Sequence, residues 1–235
     1  MENWINHIIW ELSLDKLFLI STVYFLFLYF IIGSLFLKIC IWLSSKGIAS
    51  KIIQEDIHSK QHKFEIKKSL ISILIFGFSS LPVVYLIRNN SAELLPNTIF
   101  NITIGLLILN IWNEVHFYIV HRIMHLPWFL RNVHYIHHQS KISTVYSVFS
   151  FHWLEALLLS TLPITIICFV NFSPIAIFLY PLTSILLNFS GHCNYRIGKK
   201  KETNALAFGT RHNQHHYQFT KKYGFVSGLL DKLFN

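Results

Sequence analysis

The feature that most restricts the fold of this chain is a stretch of 35 consecutive residues, 156–190, that contains no charged side chain. Three further apolar stretches precede it, at residues 17–37, 70–87 and 98–112. A helix of about 20 apolar residues crosses the hydrocarbon core of a bilayer. Charged residues make up only 13% of the chain, whereas soluble domains carry about 25%. The sequence therefore predicts an integral membrane protein.

The stretch 156–190 is too long for one membrane helix, because at about 1.5 Å per residue it would exceed roughly 50 Å. Its middle contains Asn171-Phe172-Ser173-Pro174, a composition typical of a turn. We therefore expect a hairpin of two apolar arms, whose second arm ends on the side of the membrane where the first arm began.

Charge predicts the orientation of these helices. Residues 38–68 contain seven lysines, whereas the only charged residues between the second and third apolar stretches are Arg88 and Glu93. Positively charged loops of membrane proteins lie in the cytosol. The lysine-rich loop is therefore placed inside, the next loop outside, and the end of the third helix inside again. Every histidine from His116 onward is then predicted to lie on the cytoplasmic face. We attribute the formal charge of +9 to lysines that flank the membrane helices. It does not indicate nucleic-acid binding, since no nucleic-acid-binding module is visible.

These patterns predict an all-α fold with one domain, residues 1–235: a polytopic membrane helical bundle of about four transmembrane helices, the last pair a hairpin, with a cytosolic histidine-rich helical cap. The predicted membrane helices lie near residues 17–37, 70–87, 98–120 and 156–190, and the cap comprises residues 114–155 and 191–235.

The spacing of the 14 histidines carries more information than their number. One HxxxH pair, two HxxHH triplets and a single histidine after the hairpin are present: His121 and His125; His134, His137 and His138; His212, His215 and His216; His192. Residues three and four apart share one face of a helix, so each triplet is expected to direct two or three imidazoles to one point. His7, His58 and His62 lie in polar flanking segments and are assigned to solvated positions.

Imidazole binds zinc, copper, iron and nickel. Structural zinc takes four ligands, and catalytic zinc takes three and a water. Eight or nine histidines are too many for one ion, so the pattern favours two ions with about four nitrogen ligands each. A redox-active pair at the membrane surface suits dioxygen chemistry on an apolar substrate.

Three alternatives remain open from the residues alone. A haem-binding membrane cytochrome would need one histidine from each of two membrane helices, deep in the bilayer. A zinc-dependent membrane hydrolase lacks support because no HExxH motif is present. A metal-storage or metal-sensing protein would bind metal without oxygenase activity.

The segments EVHFYIVHRIMH at 114–125, HYIHH at 134–138 and HNQHH at 212–216 resemble those of the fatty acid hydroxylase superfamily. This superfamily includes sterol desaturases and other membrane-bound, histidine-rich di-iron oxygenases, and the resemblance extends from about Asn113 to the C-terminus. It implies two iron ions, O₂ as co-substrate, and hydroxylation or desaturation of a sterol, fatty acyl or related lipid. It also implies an external electron donor similar to cytochrome b5 or ferredoxin. The ligands it implies are His121, His125, His134, His137, His138, His192, His212, His215 and His216.

Four further residues are candidates for the site. Glu114 stands where the family often has Asp; it is expected either to orient a ligand histidine, a usual role of carboxylates near metals, or to cap the polar stripe that it forms with Tyr118. His152 and Glu155 either support a ligand or mark the water interface, and the interface is favoured. The chain departs from some family branches at Asn188, where they have a histidine.

Overall fold

The computed structural model describes residues 2–198, 210–218 and 222–234. Within them, four helices are long and apolar enough to cross a membrane: Leu14–Ser45, Gln61–Arg88, Ile99–Met124 and Pro174–His192. The predicted helical membrane bundle is confirmed. Each of the first three helices is longer than its predicted membrane segment, because the apolar stretch marks only the part that lies among lipids and the helix continues into polar residues at its ends.

The outer face of the first long helix is apolar and exposed. Every fourth residue along it is a large hydrophobic side chain that no other part of the described protein covers: Leu19, Val23, Phe27, Ile31, Leu35 and Ile39. Residues four apart lie on one face of a helix. A continuous apolar face of this length is what a lipid-facing helix presents, and it agrees with an integral membrane protein.

The stretch 156–190 folds as two arms separated at the predicted turn. The first arm consists of two short helices, Trp153–Ser160 and Leu162–Ile167. The second arm is the helix Pro174–His192, and the Ser173 side chain accepts a hydrogen bond from the Ala176 N–H at its start. Pro174 occupies the first turn of that helix, where its missing N–H costs nothing. Both outer ends of the hairpin, at Glu155 and His192, lie at the histidines.

Small residues bring the site-bearing helices together. A Cβ atom on Gly105 of the Ile99–Met124 helix would lie 2.9 Å from Cβ of Ala176 in the Pro174–His192 helix. A Cβ on Gly77 would collide with Thr22 of the first long helix. Small residues allow the close backbone approach that membrane helices use for packing. The first of these contacts lies between the helix that carries His121 and the helix that ends at His192.

Short elements complete the cap. They are Pro127–Phe129, a π-helical turn Leu130–His134, Tyr135–His138, a 3-10 turn Val145–Ser147, Thr210–Gln218 and Leu229–Phe234.

A small antiparallel sheet, which the sequence did not predict, joins two loops beneath the cap. Its strands are Ala49–Lys51 and Tyr195–Ile197, with Ser50 opposite Arg196. Beside it, the Asn194 side chain accepts from the Ile53 N–H at 2.9 Å and donates to the Ile53 carbonyl at 3.0 Å. The sheet connects the chain that follows His192 to the loop after the first long helix. Three-residue strands carry no periodic signal that a sequence could reveal.

Candidate metal centre

All nine histidines predicted as ligands lie together, in two adjacent groups. Cluster A contains His121, His125, His134, His138 and His215, and cluster B contains His137, His192, His212 and His216. Within each cluster, one ring nitrogen from every histidine lies within 4.8 Å of those of the others. The clusters adjoin, since the ring centroids of His138 and His216 are 4.8 Å apart. The prediction that separate segments converge on one pocket agrees with this arrangement.

Each HxxHH triplet directs two of its histidines to one cluster, as expected, and the remaining histidine to the other cluster. His134 and His138 enter cluster A, whereas His137 enters cluster B. The second triplet has the reverse arrangement. His215 enters cluster A, whereas His212 and His216 enter cluster B. Successive residues of a helix are about 100° apart, so positions i and i+4 differ by only about 40°, whereas position i+3 lies about 60° to the other side. Each triplet therefore contributes to both clusters.

In two histidines of cluster A, the protein binds the outer ring nitrogen, which is the one that points away from the cluster. Nδ1 of His134 is 2.7 Å from a carboxylate oxygen of Glu155, and both side chains are buried. Nδ1 of His121 is 3.0 Å from the Tyr223 carbonyl oxygen. A carbonyl oxygen only accepts, so His121 carries its proton on Nδ1. In His121 the lone pair of Nε2 is then available on the inner side. Nε2 of His134 is buried with no hydrogen-bond partner.

Cluster B uses neutral partners for the same purpose. The Ser147 hydroxyl donates to the Thr144 carbonyl oxygen at 2.8 Å, so its oxygen is left to accept from Nδ1 of His192 at 2.9 Å. Nδ1 of His137 lies 3.4 Å from the Ser150 carbonyl oxygen. Imidazoles that bind metals usually donate their other N–H to such a partner, which fixes the tautomer and the ring orientation.

The inner nitrogens lie at separations that suit one shared ion. Nε2 of His125 is 3.2 Å from Nε2 of His121 and 3.1 Å from Nε2 of His215. In cluster B, Nε2 of His216 is 3.2 Å from Nε2 of His212. Two nitrogens bound at right angles to one ion, each about 2.1 Å from it, are roughly 3 Å apart. The donor set and its spacing therefore fit a metal ion in each cluster.

Burial keeps these imidazoles neutral. Desolvation lowers the pKa of His125 to about 3 and that of His138 to about 2, with the neighbouring histidines adding to the effect. The pKa values of His134, His212 and His216 are also well below the usual value, mainly through burial. Histidine binds metal only in its neutral form. The clusters are therefore ready to bind cations at neutral pH.

The Glu114 and Tyr118 side chains contact the C-terminal segment and Arg122, and not the inner nitrogens. The Glu114 carboxylate accepts from the backbone N–H groups of Phe225, Val226 and Ser227 at 3.0–3.2 Å. The Tyr118 hydroxyl accepts from Arg122 at 2.9 Å. Glu114 was expected either to orient a histidine or to cap the stripe. Its carboxylate contacts backbone N–H groups, so it does not orient a histidine directly. It anchors the segment whose Tyr223 carbonyl holds His121.

The carboxylate that contacts a ligand histidine is Glu155. It is only 3% exposed, so the favoured expectation that it marks the water interface was wrong. Its position i+3 from His152 gave no signal of this contact, because the partner, His134, is distant in the sequence. The His152 side chain instead accepts from the Leu154 N–H and caps the helix that carries Glu155.

Residues that sequence reasoning missed include Ser147, Ser150 and Tyr223, which hold outer nitrogens. Two of them act through backbone carbonyls, which any residue type supplies, so no sequence signal could have identified them. Asn188 lies one helical turn before His192, outside cluster B, and donates to the Val148 carbonyl at 3.3 Å.

An apolar cavity of about 270 Å³ lies among the helices, and two of its lining residues pack against histidines of the clusters. Phe117 lines it and packs against His121 with ring centroids 5.0 Å apart. Phe151 lines it and packs against His137 at 4.7 Å. The cavity is also lined by Ile5 and by Phe172, which lies at the turn of the hairpin. Its shape and lining suit a lipid chain whose tip approaches the histidines.

The chain was compared with known protein families and solved structures. The family model described as fatty acid hydroxylase matches residues 106–235, more than half of the chain. No solved structure matches it. The matched region contains every histidine of both clusters.

Proposed function

The chain belongs to the fatty acid hydroxylase family, and on that basis we propose that it is a membrane-bound non-haem di-iron oxygenase. Family membership implies an oxidoreductase that acts on lipids. The finer proposal is that it uses O₂ to hydroxylate or desaturate a sterol, fatty acyl or related chain.

The observation that supports this proposal best is the pairing of two neutral, buried imidazole clusters side by side. Cluster A would hold one iron and cluster B the other. When bound, the irons would supply the activation of O₂ needed to oxidise an unactivated C–H bond, which no side chain can do.

The protein's own residues would orient the ligands, exclude water and deliver the substrate. Glu155, Ser147 and the Tyr223 carbonyl fix imidazole orientation through the outer nitrogens. Eight of the nine histidines are at most 3% exposed, so bulk water is kept from the inner nitrogens. The phenyl rings of Phe117 and Phe151 separate the histidines from the cavity and would direct a lipid chain toward them.

Two parts of the proposal concern the surroundings of the site. Lysines in the loop after the first long helix support a cytoplasmic location for the cap. Electrons would come from an external protein similar to cytochrome b5 or ferredoxin, since O₂ activation consumes reducing equivalents that the lipid alone does not supply.

The experiment is comparative lipid mass spectrometry of cells that express the wild-type chain or the His137→Ala variant. We expect a lipid that gains one oxygen atom, or loses two hydrogens, only with the wild-type chain. The purified wild-type protein should contain iron and show no Soret band. Equal lipid oxidation by His137→Ala would contradict the proposal, and iron or zinc binding without lipid oxidation would identify a metal-binding protein of another kind.

A further inference from the structure

A buried carboxylate, Glu65, lies outside both histidine clusters. It is on the helix Gln61–Arg88, just before the apolar stretch 70–87, and it is 0% exposed. It also precedes residues 106–235, the region that the family model matches. Carboxylates are almost never fully buried unless they are paired, so the partners of Glu65 indicate what it does.

Both oxygens of the Glu65 carboxylate accept hydrogen bonds. Oε2 accepts from the Thr144 hydroxyl at 2.6 Å, and Oε1 accepts from Nε2 of Gln61 at 2.8 Å. Nδ1 of the half-exposed His62 lies 3.4 Å from Oε2. Of these three partners, only Thr144 is distant in the sequence. Glu65 therefore connects its helix to the segment that follows the first HxxHH triplet.

Glu65 is the middle member of a polar stripe on one face of its helix. Gln61, Glu65 and Ser69 are four residues apart, so they share that face. Nε2 of Gln61 also donates to the Ile142 carbonyl oxygen at 2.8 Å. The Ser69 hydroxyl donates to the Tyr146 carbonyl oxygen at 3.1 Å. Together with the contact of Glu65, these bonds hold the opposing segment at every second residue.

The held segment ends in the turn that presents Ser147 to cluster B. The Thr144 side-chain oxygen accepts from the Tyr146 N–H at 3.1 Å, so Thr144 joins this turn to Glu65. The Ser147 hydroxyl accepts from the Thr144 N–H at 3.2 Å, which completes a capping box. The same hydroxyl oxygen lies 2.9 Å from Nδ1 of His192. A chain of three contacts thus leads from Glu65 to a histidine of cluster B.

We propose that Glu65 is a positioning residue for cluster B. It holds the turn Val145–Ser147 where the Ser147 oxygen accepts the N–H of His192, and it thereby fixes the orientation of that imidazole. A partner that fixes a ligand imidazole in this way strengthens metal binding. Cluster B as a metal site rests on the proposed function, but this role of Glu65 requires only a bound ion and no oxygenase activity.

The experiment measures zinc binding to the full-length protein in lipid nanodiscs, by competition with a chelator and without reductant. The zinc ion that is lost in His137→Ala is assigned to cluster B. Glu65→Leu removes both acceptor oxygens and keeps a buried side chain of similar size. One hydrogen bond corresponds to roughly a 3–10-fold difference in affinity. We expect cluster B to bind zinc more weakly by that factor, and cluster A to keep its wild-type affinity.

A double-mutant cycle with Ser147→Ala separates positioning from general stability. If Glu65 acts through Ser147, Glu65→Leu should cause no further loss of zinc affinity in a protein that already carries Ser147→Ala. Residues that act independently would instead give losses that add. Thr144→Val should weaken zinc binding as Glu65→Leu does, and Thr144→Ser, which keeps the hydroxyl, should restore it.

Two buried serines on the same helix provide a matched control. Ser69 and Ser72 are both 0% exposed. Ser69 donates to the Tyr146 carbonyl oxygen, whereas Ser72 donates to the carbonyl oxygen of Lys68 in its own helix. Ser69→Ala should therefore weaken zinc binding to cluster B, and Ser72→Ala should leave it unchanged.

Wild-type zinc affinity of cluster B in Glu65→Leu would overturn the proposal, and so would losses that add in the double variant or that are equal in both clusters. If Glu65→Leu does not fold, equal zinc affinity in Thr144→Val and Thr144→Ser would overturn it. If the cycle shows coupling in a protein that oxidises no lipid under turnover conditions, the oxygenase function fails while the role of Glu65 stands.

Discussion

Cluster A and cluster B are made of the same imidazole groups, yet their surroundings differ. Cluster A has five histidines and a buried carboxylate, Glu155, behind one of them. Cluster B has four histidines, supported by the neutral Ser147 hydroxyl and the Ser150 carbonyl. Similar HxxHH motifs therefore contribute to clusters with different surroundings, because the partners of the outer nitrogens come from elsewhere in the fold.

This difference has an energetic consequence. Hydrogen bonds to an ionised group are about twice as strong as neutral ones, and a carboxylate behind an imidazole raises its basicity toward metal. Burial raises the pKa of Glu155 well above its usual value, but a cation bound in cluster A would favour the ionised carboxylate. With one more histidine and that partner, cluster A should hold its metal more tightly than cluster B. The predictions below test this order of affinity.

The largest effect is expected from the adjacent histidines His137 and His138, which belong to different clusters. Replacing either with Ala should reduce lipid turnover to background, since each cluster is needed. His137→Ala leaves three histidines in cluster B, whereas His138→Ala leaves four in cluster A, so the second variant should retain more iron. Metal analysis of the purified proteins measures this. Identical iron loss in both variants would remove the distinction between the clusters.

A smaller effect is expected from replacing the residues that contact the outer ring nitrogens of the histidines. Glu155→Gln keeps an oxygen near His134 but removes the charge, and loss of such a partner typically costs roughly 10–100-fold in metal affinity or activity. Ser147→Ala, behind His192, should cost several-fold less because the lost hydrogen bond is neutral. Competition with a chelator measures both, and His152→Ala serves as a control that should leave metal affinity unchanged. A greater loss in Ser147→Ala than in Glu155→Gln would reverse the proposed order.

Asn188→His tests the same order of affinity by adding a histidine near cluster B. Position 188 precedes His192 by four residues, as His121 precedes His125, so a histidine there would give cluster B a fifth imidazole. We expect several-fold slower release of the more labile metal to a chelator. No change in the release rate would show that position 188 cannot reach cluster B.

The smallest effect is expected at Glu114. Glu114→Gln weakens the hydrogen bonds to the backbone of residues 225–227 and should lower stability by roughly 1–2 kcal/mol. Because this segment follows Tyr223, whose carbonyl holds His121, any loss of metal should occur in cluster A. Thermal unfolding and metal analysis measure the two effects. A loss confined to cluster B would contradict the assigned role of Glu114.

Much of the fold could be predicted from the sequence, because lipid imposes long apolar stretches that local composition reveals. The turn at Asn171–Pro174 was visible because Asn, Ser and Pro are typical of turns. The two-stranded sheet was not visible. Its strands are three residues each and depend on a contact between the loops that contain Ser50 and Arg196.

The candidate site was predictable in its ligands but not in their partition. Helical spacing predicted that His137 and His138 belong to a histidine cluster, yet only the tertiary arrangement shows that they enter different clusters. The roles of Glu114 and Glu155 could not be assigned from spacing, because each carboxylate contacts a residue that is distant in the sequence. Local pattern reveals which residues are available, and packing decides what each one contacts.

The central claim is that the nine histidines form two adjacent, unequal iron sites. Mössbauer spectroscopy of the purified full-length protein, loaded anaerobically with isotopically enriched iron, tests this claim most directly when it is combined with iron analysis. We predict two irons per chain in two spectroscopically distinct environments, with the signal of cluster B lost in His137→Ala. A single iron site, a haem spectrum, or iron that remains unchanged in His137→Ala would contradict the claim.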